Sequence, residues 1–464
     1  MHMSRLVVLF LCSALTTSAC AQWSNNGGNA GRNGRSSEIG PDSPDTIWTT
    51  APSSIIAWQP MIEGRRVYAV RQNGFPPEPS SNESPIVCLD LDTGAEHWRI
   101  DIPFVAGDWT TWIAGVKDGR LFAARSGNGA FSVGPLHCYD STTGAFLWSS
   151  TDTITASAHD GVVFAPNGDP VVADFSSITR IDATTGNTVW RVVRVCSVSG
   201  SCGAALGDDT VYSVDITGGG HVIRKYDLAT GAFEYESSVM PGGTLQNTPM
   251  VAPDGTIYVP RSQNNVATDF FYAFDDTGAA LVQRWAVPTQ WTTSTELAVG
   301  PDDSVYYLAP GRLLTRLDPS NGSVMNQAIN PIDYDGSGMS PRMATDLYGR
   351  VYLTNGAFGN GRLYSFNADL SLRWSVPITN VNIGGPAIGP DGTLVIAGVG
   401  TNMRAYRTIP CLADVNGDGI VTPTDFTAWI AAFNAIAPEC DQNNDGDCTP
   451  TDFTAWIANF NAGC

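Results

Sequence analysis

From Ala57 to Arg407 the chain is a succession of short apolar runs cut by polar turns, and the runs follow one another in a fixed order. An apolar strand enters a Gly/Asp turn, and a second strand such as RVYAV follows. A variable loop then leads to a strand that ends in Asp. A turn usually containing Thr-Gly comes next, and commonly a Trp. The sharpest copies are LDLDTGAEHW (Asp90, Gly94, Trp98), YDSTTGAFLW (Asp140, Gly144, Trp148) and IDATTGNTVW (Asp182, Gly186, Trp190). Looser copies centre on Asp227, Asp275, Asp318 and Asn367, and an eighth unit stops at Tyr406 before its outer strand. Successive turn positions lie 39 to 50 residues apart. Repeats of that length with four short strands each predict a mainly β fold, an eight-bladed β-propeller of four-stranded antiparallel blades. The missing strand of the last blade is expected from the segment around Ile47-Trp48-Thr49, closing the ring and removing a sheet edge.

Each repeated residue has a structural job. The Asp can accept hydrogen bonds from the turn amides, and the Gly takes the left-handed backbone that a tight turn needs. The Trp is large and flat enough to wedge between neighbouring blades, with its indole N–H free to find a carbonyl.

After Cys411 the pattern changes. DVNGDGIVTPTDFTAWIAAFN (Asp414–Asn434) is repeated as DQNNDGDCTPTDFTAWIANFN (Asp441–Asn461). Each copy opens with a twelve-residue loop. Oxygen ligands stand at positions 1, 3, 5 and 12: Asp414, Asn416, Asp418 and Asp425, then Asp441, Asn443, Asp445 and Asp452. Gly419 and Gly446 hold position 6. Ile420 and Asp447 would offer main-chain carbonyls at position 7, and Thr422 and Thr449 occupy position 9. A hard cation such as calcium takes six to eight oxygens on a sharply turning backbone, so two calcium ions are expected. Thr-Pro-Thr-Asp is also a helix start, with Thr422 as N-cap, Pro423 at the first helical position and Asp425 three residues after the cap. Phe426, Trp429, Ile430 and Phe433 then fall on one apolar face of a short helix, repeated by Phe453, Trp456, Ile457 and Phe460.

Loop then helix, twice, without a leading helix, resembles the dockerin module, a non-catalytic calcium-binding plug for a cohesin receptor, often in polysaccharide-degrading assemblies. The likeness covers Cys411–Cys464, and the final Gly463-Cys464 is similar to the GC-type dockerin domain of bacterial envelope-anchored proteins. It implies a protein receptor, cohesin-like or an envelope anchor. Pro423 and Pro450 depart from the usual residue at loop position 10, and Cys448 replaces an apolar residue at position 8. The repeat array, over about Gln22–Thr408, resembles the quinoprotein-like (PQQ-like) eight-bladed propeller. WSNNGGNAGRNG, with Trp23, Arg32 and Gly34, is similar to the opening segment of envelope propellers of that class. That fold serves quinone-dependent dehydrogenases as well as non-enzymatic binding and assembly proteins.

The division expected is therefore a leader at 1–21, a propeller at 22–408 and the calcium module at 411–464. The leader reading rests on Arg5, the apolar run Leu6–Leu15 and Ala19-Cys20-Ala21 ahead of Gln22. It predicts export to the cell surface, envelope or medium, with a lipoprotein cut before Cys20 as the alternative. No other apolar run is long enough to span a bilayer. The net charge of −20 argues against nucleic acid as a partner, and the last module holds eight acids and no Lys or Arg. Eight cysteines follow Gln22, an even number that suggests disulfides in an exported chain. Cys196 and Cys202 bracket a short turn and form the expected pair. Cys411, Cys440, Cys448 and Cys464 allow three pairings, and Cys88 and Cys138 read as buried thiols.

Catalytic signatures are sparse. The array has no adjacent Cys-Cys pair of the kind carried by the quinone enzymes it resembles, so no quinone is expected. The histidines show no metal-ligand spacing, and Lys117 and Lys225 follow no phosphate loop. Binding is easier to motivate. The connections into the innermost strands gather around one mouth of a propeller channel, and they include GDWTTW (Trp109, Trp112), PTQWTTST (Trp291) and SGMSPR (Arg342). Aromatic faces beside hydroxyls suit carbohydrate or peptide; the competing reading packs these Trp between blades. The sequence thus reads as an exported, non-enzymatic scaffold plugged into place by its tail. A polysaccharide-degrading component and a quinone-dependent dehydrogenase are the alternatives.

Overall fold

In the computed structural model the described residues are 22–50, 59–71, 85–102, 108–127, 133–155, 161–196, 203–241, 248–261, 270–289, 297–334, 341–357, 359–378, 381, 384–398, 403–408, 411–418 and 420–463. The chain divides into two compact units, Met1–Arg407 and Thr408–Cys464.

The first unit is a ring of eight antiparallel sheets. Counting from the axis outwards, each sheet uses its strands in chain order, as in blade 3: Val163–Phe164, Pro170–Ala173, Ser177–Ile181 and Thr188–Val193. Blade 8 is the exception. Its inner three strands are Ala387–Ile388, Leu394–Ile396 and Arg404–Tyr406, and its outer strand is Thr46–Thr49 from the beginning of the chain. The closure expected around Trp48 is therefore made, with Thr46 opposite Tyr406 and Trp48 opposite Ala405. Apolar clusters sit between neighbouring sheets, with one face of a blade packed on each neighbour.

The repeated turn works by local hydrogen bonding. Asp140 accepts from the Thr142 and Thr143 amides and from the Thr143 hydroxyl, at 3.0, 2.7 and 2.8 Å. Asp182 repeats this with Thr184 and Thr185. These bonds, the Thr143 hydroxyl's first, hold the Asp140 carboxyl below the usual range. The Trp of each turn docks on the next blade: Trp98 Nε1 donates to the Thr142 carbonyl (2.9 Å), Trp148 to Ala183 (3.0 Å) and Trp190 to Leu228 (2.9 Å). Trp48 closes the ring by donating to Leu91 (2.7 Å). Beneath each of these indoles lies the Gly of the following turn. A Cβ on Gly94, Gly144, Gly186 or Gly231 would stand 2.6 to 3.0 Å from the ring. Blade 4 substitutes Tyr235, whose hydroxyl reaches Asp276 at 2.5 Å.

In the second unit two helices follow the two loops, α1 (Pro423–Ala435) and α2 (Pro450–Ala462), each with a capping box and Pro in its first turn. Their aromatic side chains interleave, with Phe426 and Trp456 centroids 5.0 Å apart and Trp429 and Phe453 5.5 Å apart. The predicted apolar face needs one correction. Ile430, Phe453 and Ile457 are exposed, Phe453 while still in contact with the Phe426 and Trp429 rings, because two short helices have one contact face between them, and Trp429 and Trp456 take its centre.

Candidate functional site

The axis of the propeller is occupied by the chain itself. After Gln22–Trp23 pairs with the inner strand of blade 1, the segment visits the inner edges of blades 2 to 7 in order. The Ser24 carbonyl accepts from the Val116 amide (2.8 Å), and Asn25 Nδ2 donates to Val162 (3.0 Å). The Ala30, Gly31, Asn33 and Gly34 carbonyls accept from the amides of Leu206, Val251, Val299 and Thr345, at 2.8 to 2.9 Å. Blade 8 joins through Gln59, which donates to Pro386 (2.8 Å) and accepts from the Gly27 amide (3.3 Å). Arg32 lies buried in the middle, donating to the carbonyls of Ala204 (2.6 Å), Gly161 (3.0 Å) and Asn26 (2.9 Å).

The composition of the segment follows from this task. Converging inner strands present unpaired backbone groups, and each must be met in a narrow space. Gly31 has the Val251 carbonyl oxygen 2.4 Å from where a Cβ would stand, so no other residue fits without movement. Asn and Arg supply donors at short and long reach. The resemblance singled out this segment through Trp23, Arg32 and Gly34, but the axial role of Arg32, and Asn25, Asn33 and Gln59 altogether, escaped pattern reading. WSNNGGNAGRNG has no apolar period, and its signal was the density of Asn, Gly and Arg in a segment with no surface strand to follow.

Buried carboxylates elsewhere in the ring are held by structural partners. Asp215 meets Arg194 Nε (3.0 Å), Tyr226 Oη (2.7 Å) and Ser213 Oγ (2.9 Å). Asp346, its carboxyl pushed up by burial, accepts from the amides of Gly40, Tyr348 and Arg350. Of the aromatic mouth residues, Trp112 is packed in the core shared by blades 2 and 3, and Arg342 is also buried at the start of the inner strand of blade 7. The Trp109 side chain and Trp291 lie outside the described residues.

In the tail the two loops repeat one geometry. At positions 3 and 5 the side chains converge, with Asn416 Nδ2 3.0 Å from Asp418 Oδ2 and Asn443 Nδ2 2.9 Å from Asp445 Oδ2. Asp414 accepts from the Asp418 amide (3.1 Å), and Asp441 from the amides of Asp445 (3.2 Å) and Gly446 (2.9 Å). The position-12 carboxylates are fully buried. Burial alone would raise Asp425, yet the amides of Thr422 (2.8 Å) and Asn416 (3.2 Å) hold it below the usual range. Asp452 does the same with Thr449, Gln442 and Asn443. The donors are hard oxygens, the chemistry calcium requires. Among the described residues no three His, Cys, Asp or Glu side chains are gathered as a metal cluster, and any ion here would depend on Asn416, Asn443 and the carbonyls of Ile420 and Asp447 as well.

Cys440 and Cys448 form a disulfide, one of the three pairings open in the sequence, and Cys411 is also disulfide-bonded. Cys464 and Cys202 lie outside the described residues; Cys196 is buried. Cys88 and Cys138 are buried thiols, which burial pushes up to about 11 and about 12. No described helix is long and apolar enough to cross a membrane.

Eight blades of four strands, the first with Gln22–Trp23 added on its inner edge, together with Trp docking and a filled axis define an eight-bladed propeller of the quinoprotein-like class. A family profile described as outer membrane protein assembly factor BamB matches residues 82–327 and 174–397, and the chain belongs to this PQQ-like family. Among solved structures it is similar to BamB from Moraxella catarrhalis, at 14% identity and TM-score 0.55, covering 78% of this chain and 99% of that one. Quinohemoprotein alcohol dehydrogenase from Comamonas testosteroni matches at 12% identity and TM-score 0.57, over 84% and 82% of the two chains. The computationally designed Ika8 protein matches at 12% identity and TM-score 0.54, over 78% and 99%. At such identities the likeness is one of fold. No curated protein matches the chain.

Proposed function

We propose that the chain is an exported, non-enzymatic propeller that binds or scaffolds other proteins. Its duplicated tail, built around two calcium ions, attaches it to a protein receptor at the cell envelope or in an extracellular complex. The observation that carries this reading is the filled axis. Residues 24–36 take up inner-strand backbone groups of blades 2 to 7, which leaves those groups unavailable to a ligand. The fate of the buried acids points the same way, since Asp215 and Asp346 are spent on structural hydrogen bonds. Membership of a family described by an assembly factor is in keeping with a scaffold.

Asp414, Asn416, Asp418, Asp425 and the Ile420 carbonyl would hold one ion, with Thr422 beside them. Asp441, Asn443, Asp445, Asp452 and the Asp447 carbonyl would hold the other, beside Thr449. When bound, the ions supply charge neutralisation and cross-linking of the loops, not a reaction step. The test is a pull-down from envelope extracts with the full chain as bait, with calcium and with chelator, beside the Asp414→Ala/Asp441→Ala double variant. A protein retained only by the wild-type chain in calcium is expected. Reducing-sugar release from a polysaccharide panel, or quinone-dependent alcohol oxidation by the same preparation, would replace this reading with an enzymatic one.

A further inference from the structure

The two loop-helix copies share their ligands, their caps and the run PTDFTAWIA, and they differ in one covalent feature. Cys440 directly precedes Asp441, the first ligand of the second loop, and Cys448 stands at its eighth position. The disulfide between them has a Cα–Cα distance of 5.6 Å. Ala413 and Val421 hold the same two places in the first loop. The cross-link closes a small ring containing Asp441, Asn443, Asp445 and Asp447, most of one ligand set. The first loop has no such closure, and hydrogen bonds alone hold it in the same geometry.

We propose that the Cys440–Cys448 disulfide makes the second loop the tighter of two unequal calcium sites, so that the module fills its second loop first. This rests on the calcium reading above. Binding an ion to an open loop spends part of the interaction on freezing backbone freedom. A cross-link removes that freedom in advance, and for a ring of this size the chain-entropy model gives roughly a ten- to hundredfold gain. The first loop then responds to calcium over a higher concentration range, although its ligands are the same.

The experiment is calorimetric titration of the full, disulfide-bonded, chelator-stripped chain with calcium alone, with the Asp414→Ala/Asp441→Ala variant as baseline. Two classes of site are expected, roughly ten- to hundredfold apart. Asp441→Ala should remove the tight class and Asp414→Ala the weak one. Cys440→Ala/Cys448→Val, which copies the first loop, should merge the two classes. Ala413→Cys/Val421→Cys should tighten the first site, a gain that misfolding cannot imitate. Two equal sites in the oxidised protein, or a tight class that survives Asp441→Ala, would overturn the proposal and leave the calcium reading standing. No calcium heat from a chain with intact circular dichroism would remove both.

Discussion

Replacing Gly186 with Ala measures what holds one blade to the next. Gly186 has φ of +75° and lies under Trp148 of the preceding blade. A Cβ there would stand 2.6 Å from Trp148 Cε3 and 3.1 Å from the Ser149 carbonyl oxygen. Two penalties add. The left-handed backbone costs an L-residue about 1–2 kcal/mol. Overpacking adds about 1–3 kcal/mol, because the indole cannot slide away without stretching its bond to Ala183. Gly255 and Gly278 separate the two, having φ of +85° and +79° with nothing within 4 Å of their added Cβ. Their Ala variants should lose only the backbone part, about 1–2 kcal/mol. Chemical unfolding of the three variants, followed by tryptophan fluorescence, should rank Gly186→Ala last by about 1–3 kcal/mol. In a Trp148→Ala background the excess should vanish, a coupling typical of residues in contact. Equal losses at all three glycines, or strict additivity with Trp148→Ala, would refute the account.

Three further outcomes follow from the same structure. Asp276, held at about 2 although burial pushes it up, is kept there by Tyr212, Tyr235, the Gly278 amide and Lys225. A lowered carboxylate contributes stability above its unfolded value and loses it as pH falls, so about 2 kcal/mol should disappear between about pH 4 and pH 2. Acid titration of thermal stability should show that step, and Asp276→Asn should lack it. Arg32→Ala strands the carbonyls of Ala204, Gly161 and Asn26 and should cost about 3 kcal/mol or more. Arg32→Lys should not restore it in thermal melts, since an ammonium lacks the planar fork. Chelation of the full chain should increase hydrogen exchange in α1 and α2 and leave the blade strands protected; equal protection with and without chelator counts against calcium as their support.

The blades were legible because their determinants are local and repeated. Asp140, Gly144 and Trp148 each work within one turn or on the next copy of it, so spacing alone carried the architecture. The second reason for Gly144 and Gly186, the indole lying on each, was hidden because it belongs to the neighbouring blade. The helix starts at Thr422 and Thr449 were legible from capping chemistry, whereas the outward turn of Ile430 and Ile457 depended on how two helices share one face. The opening segment was recognised by its likeness to envelope propellers, but its place on the axis was not legible. Asn25, Arg32 and Asn33 bond to strands 137, 172 and 218 residues away, and nothing in their own surroundings announces such partners.

The segment at the axis also has a consequence for the timing of folding. Residues 22–49 are made before the blades they serve, yet their partners include Thr345, Pro386 through Gln59, and Tyr406, among the last of the ring to be made. The axial segment and the Thr46–Thr49 strand must therefore wait for their partners while the later blades are synthesised, and the ring locks only when Thr46–Thr49 meets Arg404–Tyr406. Contacts of such long sequence separation make folding slow and leave open strand edges uncovered in the meantime. A nascent chain of this protein would need shelter for its axial segment until its last blade is complete.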